Sequence, residues 1–140
     1  MLTQTLTTSF KRQMVEGVHN FLTDTLKLAL YTSSATLGPN TTVYTATGEV
    51  TAQGTYVAGG QILTGTTIST GSGACFITFS NLTWTSVAFT ARGALIYNSS
   101  KSNKSVAVYD FGINQTAGSL NVFNITMPPN TADEAIIRIL

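Results

Sequence analysis

The sequence predicts an all-β chain: a jelly-roll-like antiparallel β-sandwich of about eight strands with one short N-terminal helix. Three observations predict it. Threonine is the dominant polar residue, with 25 copies, and its β-branched side chain suits pleated strands. Short apolar runs follow one another from residue 61 onward, separated by Gly, Pro, Ser and Asn turns at roughly 8–12-residue spacing, as sandwiches and barrels require. Only 9% of the residues are charged, against about 25% in an ordinary soluble domain.

The first element is helical. In residues 8–22 the apolar positions Phe10, Met14, Val18 and Phe21, joined by Val15 and Leu22, recur with the 3.6 period. Thr8 or Ser9 is placed to cap the start, and Gly17 is the weak point, since a mid-helix glycine costs about 1 kcal/mol against alanine. Phe10, Met14 and Val18 are expected to pack the helix on a sheet, or alternatively on a neighbouring subunit. Leu26–Tyr31 alternates with period two, Leu26, Leu28 and Leu30 on one face, and reads as a half-buried strand. Residues 32–60 are an irregular excursion rich in turn signals, Gly38-Pro39-Asn40 and Gly59-Gly60 among them. A short strand is expected near Thr41–Tyr44 and a helical turn around Thr45–Val50. Long irregular segments of this kind are often functional.

The remaining strands are expected at Ile62–Ser69, Cys75–Phe79, Val87–Ala91, Gly93–Tyr97, Val106–Phe111, Leu120–Met127 and Ala135–Leu140. With Leu26–Tyr31 they make eight, enough for two four-stranded sheets. Leu95, Ile96, Tyr97, Val106, Val108 and Tyr109 are expected to fill a sandwich interior or a subunit joint around the polar tip Asn98–Lys104. The length, 140 residues, fits one domain over 1–140. Surface scaling gives about 7,000 Å² folded against about 21,000 Å² unfolded, which supports a core without disulfide or metal.

The composition bounds the function. Seven Lys and Arg against six Asp and Glu leave no basic face for nucleic acid and little repulsion between copies. A surface of hydroxyls and amides is cheaper to desolvate than a charged one. Two readings of this composition stand: a large static assembly, and a plain all-β domain with a mild surface. Cys75 is the only cysteine, so no internal disulfide forms and it is expected to be a small buried hydrophobe. The N-terminal segment lacks the features of a signal peptide and no apolar run reaches the length of a membrane helix. The chain is expected to be made in a cytoplasm, without membrane or nucleic-acid partners. Asn-x-Ser/Thr triplets such as Asn98-Ser-Ser are common by chance in so hydroxyl-rich a chain, and no glycan is assigned.

Chemistry-bearing groups are sparse. His19 is the sole histidine and is expected on the helix surface. No metal cluster and no phosphate loop is legible, so neither metal nor cofactor is expected. A glycosidase pair from Glu49 and Asp110 is conceivable only if the two face each other across a cleft. Arg92, inside an apolar strand, needs an acidic partner, and Asp110 on the expected partner strand supplies it as a structural bridge. Trp84 and the tyrosines, Tyr44 and Tyr56 among them, are candidates for a sugar platform or an interface anchor, with core or sheet surface the plainer role. Lys101 and Lys104, in the hairpin tip, are candidate contacts.

The ordered set Phe10-Lys-Arg-Gln-Met-Val-Glu-Gly-Val-His-Asn, Asp24-Thr-Leu-Lys-Leu-Ala-Leu-Tyr-Thr, Thr45-Ala-Thr-Gly-Glu-Val, Tyr56-Val-Ala-Gly-Gly, Leu63-Thr-Gly and Ala91-Arg-Gly-Ala-Leu-Ile-Tyr-Asn resembles a group of small virion proteins of tailed bacteriophages. Within that group it is most similar to capsid cement, or decoration, proteins with a jelly-roll fold, of the Bordetella phage type. The resemblance implies a non-enzymatic protein on the outer surface of a capsid, bound to the major capsid protein and to itself as a dimer or trimer. It implies contacts from strand edges, from residues 32–60 and from the Asn98–Lys104 tip. A tail or fibre-attachment protein of the virion is the alternative, and a small β-sandwich glycan-binding protein or hydrolase is the third reading.

Overall fold

The structure is a computed structural model that describes residues 1–140. Ten strands and one helix follow in the order β1 (Thr5–Leu6), α1 (Thr8–Val15), β2 (Leu26–Tyr31), β3 (Gln61–Ile62), β4 (Thr67–Gly71), β5 (Ala74–Thr78), β6 (Leu82–Trp84), β7 (Thr90–Asn98), β8 (Lys104–Thr116), β9 (Phe123–Ile125) and β10 (Ile137–Ile139). The fold is all-β with a short helix, as the alternating patterns require. The pairing is antiparallel throughout the sheets, but the expected two sheets of four are not what forms. A five-stranded sheet β1-β8-β7-β2-β3 lies with a three-stranded sheet β10-β5-β4 and a two-stranded sheet β6-β9.

The main core sits between the large sheet and the two smaller ones. Leu26, Leu28 and Leu30 of β2 and Ala94 and Ile96 of β7 meet Ile77 of β5, Trp84 of β6, Phe123 of β9 and Ile137 of β10 in one apolar cluster. The opposite face of the large sheet is buried too. Ala29, Tyr31, Leu95, Tyr97 and Val108 form a second cluster with Leu2, Ala35 and Leu37. The half-buried strand expected at Leu26–Tyr31 is therefore buried on both faces, because the N-terminal segment and the 32–60 excursion roof the side expected to face water. The accessible surface is 7063 Å², in line with the value expected for this mass.

The helix stops at Val15, seven residues short of the expected end. Gly17 adopts φ +73°, its N–H bonds the Met14 carbonyl at 3.2 Å, and the Val18 N–H bonds the Gln13 carbonyl at 2.9 Å. This is the crossed pair of hydrogen bonds that closes a helix on a left-handed residue. The cap at the other end is Thr7, whose Oγ1 accepts from the Phe10 N–H at 3.3 Å, rather than Thr8 or Ser9. Phe10 is buried on the sheet, while Val15 and Leu22 stay exposed.

Other boundaries move too: β8 is longer than the expected Val106–Phe111, and β9 and β10 are shorter than the expected Leu120–Met127 and Ala135–Leu140. The expected strand Ile62–Ser69 splits, because the chain passes from the large sheet (β3) to the three-stranded sheet (β4) between them. The expected pair Val87–Ala91 and Gly93–Tyr97 is one strand, β7, with an irregularity between Ala91 and Gly93. Near Thr41–Tyr44 the chain does run alongside another strand, with a bridge between Val43 and Lys104. The helical turn expected at 45–50 is a tight turn closed by the Glu49 N–H on the Ala46 carbonyl.

Candidate functional site

Between Lys27 and Arg92 the chain carries one charged side chain, Glu49. The fold takes that charge out of play. Glu49 stands beside Tyr31 at the edge of β2. Its Oε1 accepts from the Tyr44 hydroxyl at 2.5 Å, and its Oε2 accepts from the Tyr56 hydroxyl at 2.7 Å and the Gly59 N–H at 2.8 Å. The Tyr56 hydroxyl also accepts from the Leu30 N–H at 2.9 Å, and the Tyr97 hydroxyl donates to the Gly59 carbonyl at 2.6 Å. Tyr44 stacks on Tyr97 with centroids 4.8 Å apart. One carboxylate thus pins three points of the excursion to the large sheet through charge-assisted hydrogen bonds, which are the stronger kind. The phenols respond as buried donors must. Burial, followed by the Glu49 hydrogen bond, pushes Tyr44 and Tyr56 well above the ordinary phenol value. Burial and the Glu49 charge push Tyr97 up to about 12.

This geometry sorts the sequence candidates. Tyr56 is 1% exposed, so it belongs to the scaffold and offers no contact surface. Tyr44 is half-buried and committed to Glu49. Trp84 is core, packed against Tyr56 and Phe123. Arg92 and Asp110 are brought together: the Arg92 Nε donates to Asp110 Oδ1 at 2.9 Å. The strand irregularity beside Gly93 sets the two side chains against each other. The Gly112 N–H and Arg92 hold the Asp110 carboxyl below the usual carboxylate range. Glu49 and Asp110 do not face each other. Glu49 neighbours Tyr31, Tyr31 pairs with Gly93 and Gly93 with Asp110, three strand spacings or about 14 Å at Cα, beyond the roughly 5–9.5 Å of glycosidase carboxylates.

His19 is a correction. It lies past the helix, 8% exposed, packed on Phe10 with ring centroids 5.1 Å apart. Its Nδ1 is 2.9 Å from Asn98 Nδ2 and its Nε2 is 2.8 Å from Gln13 Oε1. Since an amide nitrogen only donates and an amide oxygen only accepts, the network assigns a neutral imidazole with its proton on Nε2. The Asn98 amide also donates to Asp24 Oδ2 at 2.8 Å, and Lys101 Nζ lies 3.8 Å from Asp24 Oδ1. Burial lowers the pKa of His19 against the pull of Asp24, with Lys104 and Lys101 adding to the lowering. Burial pushes Asp24 up, but the Asn20 N–H, the Asn98 amide and the charges of Lys101 and His19 outweigh it, so its carboxyl sits below its ordinary value. Lys101 is therefore partnered by Asp24, from the segment before β2, and Lys104 is half-buried at the start of β8. Cys75, expected buried, is half-buried on β5.

Seven of the thirteen charged side chains have an ionic or hydrogen-bonded partner in the chain: Arg12 with Glu16 on the exposed helix surface, Arg92 with Asp110, Lys101 with Asp24, and Glu49 by its tyrosines. What remains outside is mostly hydroxyl, amide and scattered aliphatic surface, including Val43, Val57, Ile62 and Ile68, each 41% exposed or more. No group of three or more metal-ligating side chains comes together, and no helix is long and apolar enough to cross a membrane. Compared with protein families, with curated proteins and with solved structures, the chain matches none.

Proposed function

We propose that this chain is a structural component of a virion: a non-enzymatic, self-associating cement protein that binds the outer shell of a bacteriophage capsid and bridges copies of the major capsid protein. The observation that carries the reading is the sparsity of charge, thirteen charged side chains on a 7063 Å² surface, with the one carboxylate between residues 28 and 91 sequestered by tyrosines. Such a surface is buried against a partner at low desolvation cost and does not repel further copies. A specific contact takes about 1,600 Å² in total. A chain of this size has room for a shell contact and a contact with itself. The ordered segments quoted above, spread over most of the chain, supply the virion part of the reading.

Reconstitution tests it. Purified protein is mixed with DNA-free shells of the major capsid protein, and bound and free fractions are separated by sedimentation. Saturable binding in a fixed ratio to the shell subunit, with shells that withstand more heat or denaturant, is the expected result. No binding to shells, or location at the tail in images of intact virions, overturns the cement reading in favour of the tail alternative.

A further inference from the structure

We infer that two copies of this chain join through the outer edge of β4, forming a continuous six-stranded sheet β10-β5-β4-β4-β5-β10 about a two-fold axis at Ser69. β4 is the last strand of its sheet, with β5 as its only neighbour. The β4–β5 hairpin turns on Ser72 and Gly73, both at positive φ, the two-residue turn whose flanking pair, Gly71 with Ala74, is hydrogen-bonded. Bonded pairs alternate along an antiparallel ladder. With the register Thr70↔Cys75, Ser69↔Phe76 and Ile68↔Ile77, Ile68 and Thr70 turn their backbone N–H and C=O groups away from β5.

The side chains tell the same story from another direction. Ile137, Ile77 and Ile68 form one row across the three strands, with exposures of 1%, 3% and 41%. The row faces the main core, and the cover stops short at its last member. Natural edge strands are normally blunted by charge, proline or a bulge. β4 has none of these, its sequence being Thr-Ile-Ser-Thr-Gly, in the middle of a stretch without charge from residue 50 to residue 91.

A second copy fits this edge because the edge is self-complementary. With Ser69 opposite Ser69 of the other copy, the Ile68 N–H meets the partner's Thr70 carbonyl and the Thr70 N–H meets the partner's Ile68 carbonyl. Four hydrogen bonds then use every outward group of Ile68 and Thr70 on both strands, and each Ile68 side chain lies beside a threonine methyl group of the other copy. The contact is a short one, so the dimer belongs to the class that forms at micromolar and higher concentrations, about 8 kcal/mol of association free energy or less. This inference deepens the self-association part of the reading above and does not rest on shell binding: a protein that dimerises but ignores shells sinks that reading and leaves this one standing.

Sedimentation equilibrium of the purified chain is expected to give a concentration-dependent mass rising to twice 14.8 kDa. Thr70→Pro removes an N–H that β5 does not use, so the monomer is expected to keep its circular dichroism while the dimer Kd rises at least about tenfold. Ser69→Cys in a Cys75→Ser background is expected to give a covalent dimer under mild oxidation, because directly opposed residues in such a ladder stand about 4.5–5.5 Å apart at Cα, within disulfide reach. A chain that stays monomeric to about 1 mM, where even a contact worth 4 kcal/mol is half-formed, overturns the inference. So does a dimer that forms without a Ser69→Cys cross-link, and so does assembly beyond two copies through this edge. If Thr70→Pro does not fold, the cross-link alone decides.

Discussion

Replacing Glu49 tests the clamp that fixes residues 32–60. Glu49→Ala removes the acceptor of three hydrogen bonds, from Tyr44, Tyr56 and Gly59. Bonds to a charged group contribute about 1.5–3 kcal/mol each, but Glu49 is half-buried and water entering its place rehydrates part of what is left. The expected net loss is about 3–5 kcal/mol, a large share of the 5–15 kcal/mol of a typical domain. Glu49→Gln keeps one acceptor for Tyr56 and Gly59 and lets the Tyr44 hydroxyl turn to accept from the amide, so it is expected to cost only about 1–2 kcal/mol. Urea unfolding reads both: the midpoint falls by about 2 M for Glu49→Ala and by less than half of that for Glu49→Gln. Near-ultraviolet circular dichroism is expected to change with Glu49→Ala, since Tyr44 loses the bond that holds it on Tyr97. A Glu49→Ala protein within about 1 kcal/mol of wild type, with its tyrosine signal unchanged, refutes the clamp.

Three further outcomes follow from particular contacts. Gly17→Ala is expected to destabilise by about 1 kcal/mol, because Gly17 holds φ +73° and alanine is strained there; a helix running on to residue 22 predicts the opposite sign, and thermal unfolding distinguishes them. Stability is expected to fall steeply above pH 10. Tyr31, Tyr56 and Tyr97 are buried with raised pKa values, so the folded chain keeps protons that the unfolded chain gives up. The loss is about 1.4 kcal/mol per pH unit for each phenol, and it is read as alkaline unfolding coincident with tyrosinate absorbance. At the acid side His19 is lowered, so the folded chain binds fewer protons than the unfolded one below about pH 6.5. Stability is expected to decline from there, before the carboxylates titrate, and to lose that first slope in His19→Gln, as urea midpoints across pH 4–7 report.

The pattern of strands was legible where one physical cause dominated. Leu26, Leu28 and Leu30 alternate because they line the main core, and Arg92 found Asp110 because neighbouring strands place an unpaired cation beside the nearest carboxylate. The failures have equally local causes. The 3.6 period through Val18 and Phe21 continued past Gly17, but a left-handed glycine and the burial of His19 against Phe10 turned the chain. Leu82 and Trp84 hid a strand inside a run of Ser, Asn and Thr. The excursion looked functional because its apolar residues had no period. They are divided between two jobs: Ala35 and Leu37 roof the far face of the large sheet, while Val50 and Tyr56 join the main core. One signal for the clamp was open to reading: Glu49 is the lone charge between Lys27 and Arg92, with Tyr44 and Tyr56 on either side.

Closing both faces of the large sheet has a consequence for recognition. A β-protein usually meets partners through an open sheet face or through its strand edges. Here the first route is shut for the large sheet, since Ala29, Tyr31, Leu95 and Val108 are buried beneath the N-terminal segment and residues 32–60. What stays available is edges and loops: the outer edge of β4, the ends of the smaller sheets and the exposed far end of β8 from Gly112 to Thr116. Edges recognise by backbone hydrogen bonds, which need register and rigidity more than charge. The clamp on Glu49 and the His19–Asn98–Asp24 network spend the chain's buried polar groups on that rigidity, leaving a surface poor in charge and rows of backbone donors and acceptors that are held in place before any partner arrives.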